Sequence, residues 1–269
     1  MIRLPNVAVP EETARKLREY QAEVDAKPSY AERVAEAKRQ FSSRNKATNA
    51  AFRVVRQRLD EMCSGARRCA YCEDSAADEV EHVRPKDLYP EHVFRWENYV
   101  YACGPCNGPK GNGFAVFESG TGQFRDVTRG RDDPIVPPVA GDEVLIDPRS
   151  EDPLDYMELD LVGTFMFLPA PGGDHRSTKR ADYTIELLHL NDRDLLIAAR
   201  REAYGSYFAR LHMYRDRKLE GADNDELSRL AEEIRSMGHS TVWQEMKRQR
   251  EFHEELTRLF DDVPESLAW

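Results

Sequence analysis

Cys69-Ala70-Tyr71-Cys72 and Cys103-Gly104-Pro105-Cys106 are two C-x-x-C knuckles in a chain of 269 residues that holds only five cysteines. Each knuckle can aim two thiolates at one ion, and the pair completes the tetrahedral four-thiolate shell that Zn²⁺ takes in closed structural sites. A thioredoxin-like redox site needs one C-x-x-C at a strand-to-helix junction and gives no reason for a second. The spacing therefore predicts a structural zinc on Cys69, Cys72, Cys103 and Cys106, with Cys63 left over as a small buried hydrophobe.

Thirty residues separate the knuckles, more than the roughly 15 to 20 of a simple zinc ribbon. Held there are Glu81-His82-Val83-Arg84-Pro85-Lys86 and Trp96-Glu97-Asn98-Tyr99, and directly after the last cysteine comes Asn107-Gly108-Pro109-Lys110. These are ingredients of metal-assisted phosphodiester hydrolysis. A carboxylate and an amide oxygen suit a hard ion such as Mg²⁺, which keeps several waters and leaves room for a phosphate oxygen. A neighbouring neutral imidazole can take a proton from water near pH 7.

The order E-H, then N, then C-x-x-C-N-x-x-K over residues 69–112 resembles the HNH endonucleases, the ββα-metal nucleases, in their four-cysteine zinc subtype. The resemblance implies that His82 is the general base, that Glu81 and Asn107 hold a catalytic Mg²⁺ or Mn²⁺, and that Asn98 braces the loop carrying His82. Glu81 departs from the pattern, since the family commonly has Asp there. A wider set of strings includes L-I-D-P-R at 145–149 and T-I-E-L-L-x-L-N at 184–191. It resembles the HNH subunit of Septu-type antiphage systems and their retron-associated relatives, which implies an ATPase partner subunit.

Two other readings compete. A zinc base deaminase also combines His, Glu and P-C-x-x-C, but His82 is not followed by x-Glu and Pro105-Cys106 has no cysteine three residues on. A non-catalytic, zinc-stabilised module that binds nucleic acid or protein is the stronger rival, and it leaves Glu81, His82 and Asn107 without a purpose.

The elements around the site must position it. Apolar residues at three- and four-residue intervals from Glu11 to about Met62 predict two helices, interrupted at Pro28-Ser29, with a weak point in the second at Ser42-Ser43. A Pro-rich connector at 132–142 precedes a strand at Val144-Leu145-Ile146 and a hairpin between Tyr156 and Leu168. The last third reads as helix. Asn191 with Asp194 and Thr241 with Gln244 are its predicted caps, and Val242, Met246, Phe252, Leu256, Leu259 and Phe260 form one apolar face. Asp147 reads as a turn residue before Pro148, and the six histidines other than His82 as structural or surface groups.

The expected fold is α+β: a small ββα-metal, treble-clef-like core at 67–132, between a basic helical arm at 1–66 and a region of short strands and helices at 133–269.

With 39 basic against 49 acidic side chains the chain is acidic overall, yet residues 1–70 carry an excess of six positive charges, concentrated between Arg33 and Arg58. Arg53, Arg56, Arg84, Lys86 and Lys110 are thus the expected backbone contacts to nucleic acid. DNA is the leading substrate and RNA the alternative. No apolar run approaches a membrane span and the N-terminus lacks signal-peptide order, so a cytoplasmic location without membrane contact is expected.

Overall fold

A computed structural model describes residues 1–269. The first segment holds three helices, α1 (Glu11–Asp25), α2 (Tyr30–Arg44) and α3 (Ala50–Asp60), where the periodicity predicts two. Ser29 starts α2 in a reciprocal capping box: its hydroxyl accepts from the Glu32 amide at 3.2 Å, and the Glu32 carboxylate accepts from the Ser29 amide at 3.0 Å. The helix runs through Ser42-Ser43 because Phe41 before them is buried in the core. It stops at Asn45, and Asn49 opens α3 by accepting from the amides of Ala51 and Phe52.

Between the knuckles lie β1 (Glu79–His82) and β2 (Tyr99–Ala102), antiparallel, with Glu81 opposite Val100 and His82 opposite Tyr99. Helix α4 (Gly104–Lys110) follows directly. A second sheet has the order β4-β3-β5, from β3 (Ala115–Glu118), β4 (Phe124–Asp126) and β5 (Gly141–Glu143).

The expected strand at Val144-Leu145-Ile146 is buried but is not a strand. Its Val144 amide still donates to the Ala115 carbonyl of β3 at 3.0 Å, and helix α5 (His175–Leu187) takes other groups: Thr184 Oγ1 accepts from the Ile146 amide at 3.1 Å, and Arg180 donates to the Val144 and Leu145 carbonyls. The expected hairpin is present as β6 (Met157–Leu159) and β7 (Phe167–Pro169).

The helical last third comprises α6 (Asp194–Leu219), α7 (Asn224–Arg235), α8 (Ser240–Gln249) and α9 (Glu254–Asp262). Both predicted caps act elsewhere. Asn191 grips β7, accepting from the Phe167 amide at 2.9 Å and donating to its carbonyl at 2.8 Å. Thr241 lies inside α8, its hydroxyl donating to Glu73 and accepting from the Met1 ammonium at 2.7 Å. The apolar face is broken between α8 and α9, where Phe252 is 83% exposed while Val242, Met246, Leu256, Leu259 and Phe260 are buried.

One cluster of 61 buried residues runs without a gap from α1 to the last helices. The cysteine region therefore shares its core with the helices before and after it. No helix is long and apolar enough to cross a membrane.

Candidate metal centre and adjoining cavity

All four knuckle cysteines are buried and free of disulfides, with their sulfurs within 4.8 Å of one another. The first pair sits in a tight turn closed by Glu73 N to Cys69 O at 2.9 Å and Cys69 N to Ser75 O at 3.0 Å. In the second pair, Cys103 is the N-cap of α4 and Cys106 lies in its first turn. Cys72 Sγ and Cys103 Sγ are 3.7 Å apart, close to the edge of about 3.8 Å for a tetrahedron with Zn–S bonds of ~2.3 Å. The donor set and its geometry fit a structural zinc.

Alternation along β1 sends Glu79 and Glu81 to one face and His82 to the other. On the first face, toward α4, Glu81 Oε1 accepts from Lys110 Nζ at 2.6 Å, and the same ammonium donates to the His82 carbonyl at 2.8 Å. Asn107 Nδ2 donates to the Glu79 carboxylate, which leaves its amide oxygen for another partner.

On the second face, the His82 ring packs edge-on against Phe41 of α2 at 4.4 Å and against Tyr99 at 5.3 Å between centroids. Its Nε2 lies 3.0 Å from the Val93 carbonyl. A carbonyl can only accept, so the proton belongs on Nε2 and the lone pair on Nδ1. Burial, reinforced by the Lys86 ammonium, pushes the imidazole well below its ordinary value and keeps it neutral. The residue is only 2% exposed, because Phe41 lies over it.

Asn98 staples the intervening loop. Its Oδ1 accepts from the Arg84 amide at 2.7 Å, and its Nδ2 donates to the carbonyls of Arg84 and His92, both at 3.0 Å.

A cavity of about 620 Å³ is walled by Lys38, Phe41 and Asn45 of the α2 region on one side and by Glu81, Lys86 and Asn107 on the other. The structure thus gathers Glu81, Asn107 and Lys86 around one space, with His82 behind Phe41. The remaining expected contacts lie elsewhere. Arg84 turns to a separate cavity of about 760 Å³, where it meets Glu143 and donates to His92 at 3.0 Å. Arg56 folds back onto the carbonyls of Asn45 and Phe52, whereas Arg53 stands exposed on α3.

Lys110 is corrected from a surface contact to a buried ion-pair partner. At 1% exposure, held by Glu81 and a backbone carbonyl, it has no surface to offer a phosphate.

Three participants escaped the sequence reading. Glu79 was available from period-two alternation with Glu81. Tyr99 and Phe41 were not, because a core aromatic looks the same in sequence whether or not it touches a histidine.

No family model matches the chain. Over 49 aligned residues it is 47% identical to the Septu protein PtuB of Bacillus thuringiensis. That match covers 16% of this chain and 19% of PtuB, so the likeness is to a short segment of PtuB rather than to the whole of it.

Proposed function

We propose that this chain is a metal-dependent HNH-type endonuclease, with β1, β2 and α4 as its ββα-metal core, and that it serves as the nuclease of an antiphage defence system. The observation that carries the reading is the placement of Glu81, His82 and Asn107 on one strand pair and one helix, joined at the four-cysteine site. The short likeness to PtuB supports the defence setting. An ATPase subunit is the expected partner.

The residues present suit a divalent cation. Lys110 holds Glu81 Oε1, so the second carboxylate oxygen of Glu81 and the Asn107 amide oxygen, hard donors on adjoining elements, would hold Mg²⁺ or Mn²⁺. When bound, the ion neutralises charge developing on the phosphate. His82 Nδ1 takes the proton of the attacking water, its ring held by the Val93 carbonyl and its loop by Asn98. Lys86, on the wall of the same cavity, meets the phosphate backbone, and Arg53 extends the contact over α3. DNA is the substrate class, RNA the alternative, and the products carry 5′-phosphate and 3′-hydroxyl ends. Water reaches His82 only after Phe41 withdraws, so α2 must shift before cleavage.

The burial of His82 favours one second reading, a zinc-stabilised binding module without catalysis. Supercoiled plasmid incubated with purified protein and Mg²⁺, Mn²⁺ or EDTA separates the two. Metal-dependent nicking that disappears in His82→Ala is the expected result. Binding with no cleavage, in the presence of the ATPase partner as well, selects the module.

A further inference from the structure

Arg200 is 2% exposed and is among the largest side chains that the molecule buries completely. Its guanidinium donates to the carbonyls of Leu190 at 2.8 Å and Phe165 at 3.1 Å and lies over the Phe167 ring at 4.5 Å. No carboxylate pairs with it. A buried cation without an anion is costly, and carbonyls alone do not neutralise it.

Seven residues earlier, two turns along and on the same side of the helix start, Arg193 donates from Nη2 to Cys106 Sγ at 3.3 Å and from Nε to the His189 carbonyl at 3.1 Å. The anions on this side of the core that favour the charged form of Arg200 are Glu73, the Cys72 sulfur and Asp74. Glu73 is already engaged by the Met1 ammonium at 2.9 Å and by Thr241. Asp74 is 37% exposed to solvent, faces His239 at 3.5 Å and accepts from Ser75 Oγ at 3.2 Å, so the buried negative charge left without a partner is that of the cysteine cluster. One Zn²⁺ with four thiolates carries a net charge of about −2, and two arginines match it.

We infer that Arg193 and Arg200 are the counter-charges of the zinc tetrathiolate, so that the zinc centre is the electrostatic docking point of α6 and of the helices that follow it. The N-terminus of α6 adds to the field in the same sense. This gives the 189–191 stretch of the T-I-E-L-L-x-L-N string a physical purpose. His189 and Leu190 lend their carbonyls to the two arginines, and Asn191 ties the stretch to β7. The inference is independent of any catalytic role for His82.

The test uses the full chain and reads zinc rather than cleavage. Zinc release is followed with 4-(2-pyridylazo)resorcinol while N-ethylmaleimide alkylates the thiolates, for wild type, Arg193→Gln and Arg193→Lys. Arg193→Gln should release zinc about tenfold faster, the usual size of an outer-shell loss, and Arg193→Lys should recover most of the difference.

For Arg200→Met, urea midpoints are compared with zinc and with EDTA. Removing the buried cation should narrow the gap between the two conditions, since the zinc form loses a counter-charge while the stripped form loses an unpaired one. Unchanged release from Arg193→Gln, or an Arg200→Met gap equal to that of wild type, would overturn the assignment. If Arg200→Met does not fold, the half-exposed Arg193 pair decides alone.

Discussion

Tyr99 and His82 donate to the same oxygen: the Val93 carbonyl accepts the Tyr99 hydroxyl at 2.7 Å and His82 Nε2 at 3.0 Å. Tyr99 belongs to β2 and Val93 to the loop that Asn98 staples, so the imidazole is oriented through a carbonyl that is itself held from two sides. Tyr99→Phe keeps the ring and removes one hold. We expect a loss of about 1 kcal/mol in stability, full zinc content, and a nicking rate several-fold lower with KM unchanged. A Tyr99→Phe protein that nicks at the wild-type rate would show that the carbonyl needs no second donor.

His82 and Asn107 should fail in different ways. On the proposed function His82→Ala removes the base, which general-base catalysis values at roughly 10²- to 10⁴-fold. On the same reading Asn107→Ala removes an oxygen ligand, so raising Mn²⁺ should recover part of its rate and none of that of His82→Ala. Plasmid nicking across a Mn²⁺ titration, after zinc content is checked, measures both. Equal rescue of the two variants would mean that base and ligand are exchanged.

The cysteine knuckles were legible because four thiolates at C-x-x-C spacing have few other uses; β1 and β2 lie between them, and α4 carries Cys106 and runs on past it. The failures share one cause, tertiary competition for polar groups. Asn191 and Thr241 have cap chemistry, yet the backbone of β7 and the Glu73–Met1 pair claim them. Val144-Leu145-Ile146 has the apolar run of a buried strand, but only the Val144 amide bonds β3, at the Ala115 carbonyl, and Arg180 and Thr184 of α5 take the carbonyls of Val144 and Leu145 and the amide of Ile146. Lys110 looked like a surface cation because nothing local to it predicts that α4 turns it onto Glu81.

That burial gives Lys110 and Arg53 opposite signatures. Lys110→Met leaves the Glu81 carboxylate, 5% exposed, without its cation, and should cost about 3–5 kcal/mol. Added Mn²⁺ should return part of it by taking the place of the ammonium. Arg53→Glu should leave stability within about 0.5 kcal/mol while lowering the salt slope of DNA binding by roughly one. Urea unfolding and a salt titration check the pair; a Lys110→Met protein as stable as wild type would contradict the buried ion pair.

Acid should weaken the fold through His92. Burial, with Arg84 and then Arg95, holds its imidazole at about 4, against about 6.5 in an unfolded chain. The folded state then binds fewer protons than the unfolded one, so this contribution is complete above about pH 6.5 and is lost as pH falls toward 4. His82 and His239 are depressed in the same direction, again with burial as the leading cause, and steepen the loss. His92→Gln, whose amide oxygen can still accept from Arg84, should flatten the fall in urea midpoint between about pH 7.5 and 5. An identical fall in the variant would assign the acid sensitivity to the other two histidines.

Phe41 decides whether the buried histidine can work. Its ring lies 4.4 Å from His82 and also borders the cavity that holds Glu81 and Asn107, so it separates the base from the rest of the site. Lys86 sits over that ring at 5.4 Å, and Lys38, one turn earlier on α2, pairs with Asp87 at 3.1 Å. These are contacts that a polyanion bound at the two lysines would loosen. Phe41→Ala removes the barrier at the cost of a core aromatic, about 3–5 kcal/mol, and Phe41→Leu is the milder companion. Carbethoxylation of His82 by diethylpyrocarbonate, read by mass spectrometry, should be slow in wild type and fast in Phe41→Ala. Plasmid nicking should rise in whichever of the two variants retains zinc and a cooperative melt. A fast-reacting His82 in the wild-type protein would mean that α2 does not cover it in solution. Faster modification without any nicking would keep the cover and remove the nuclease.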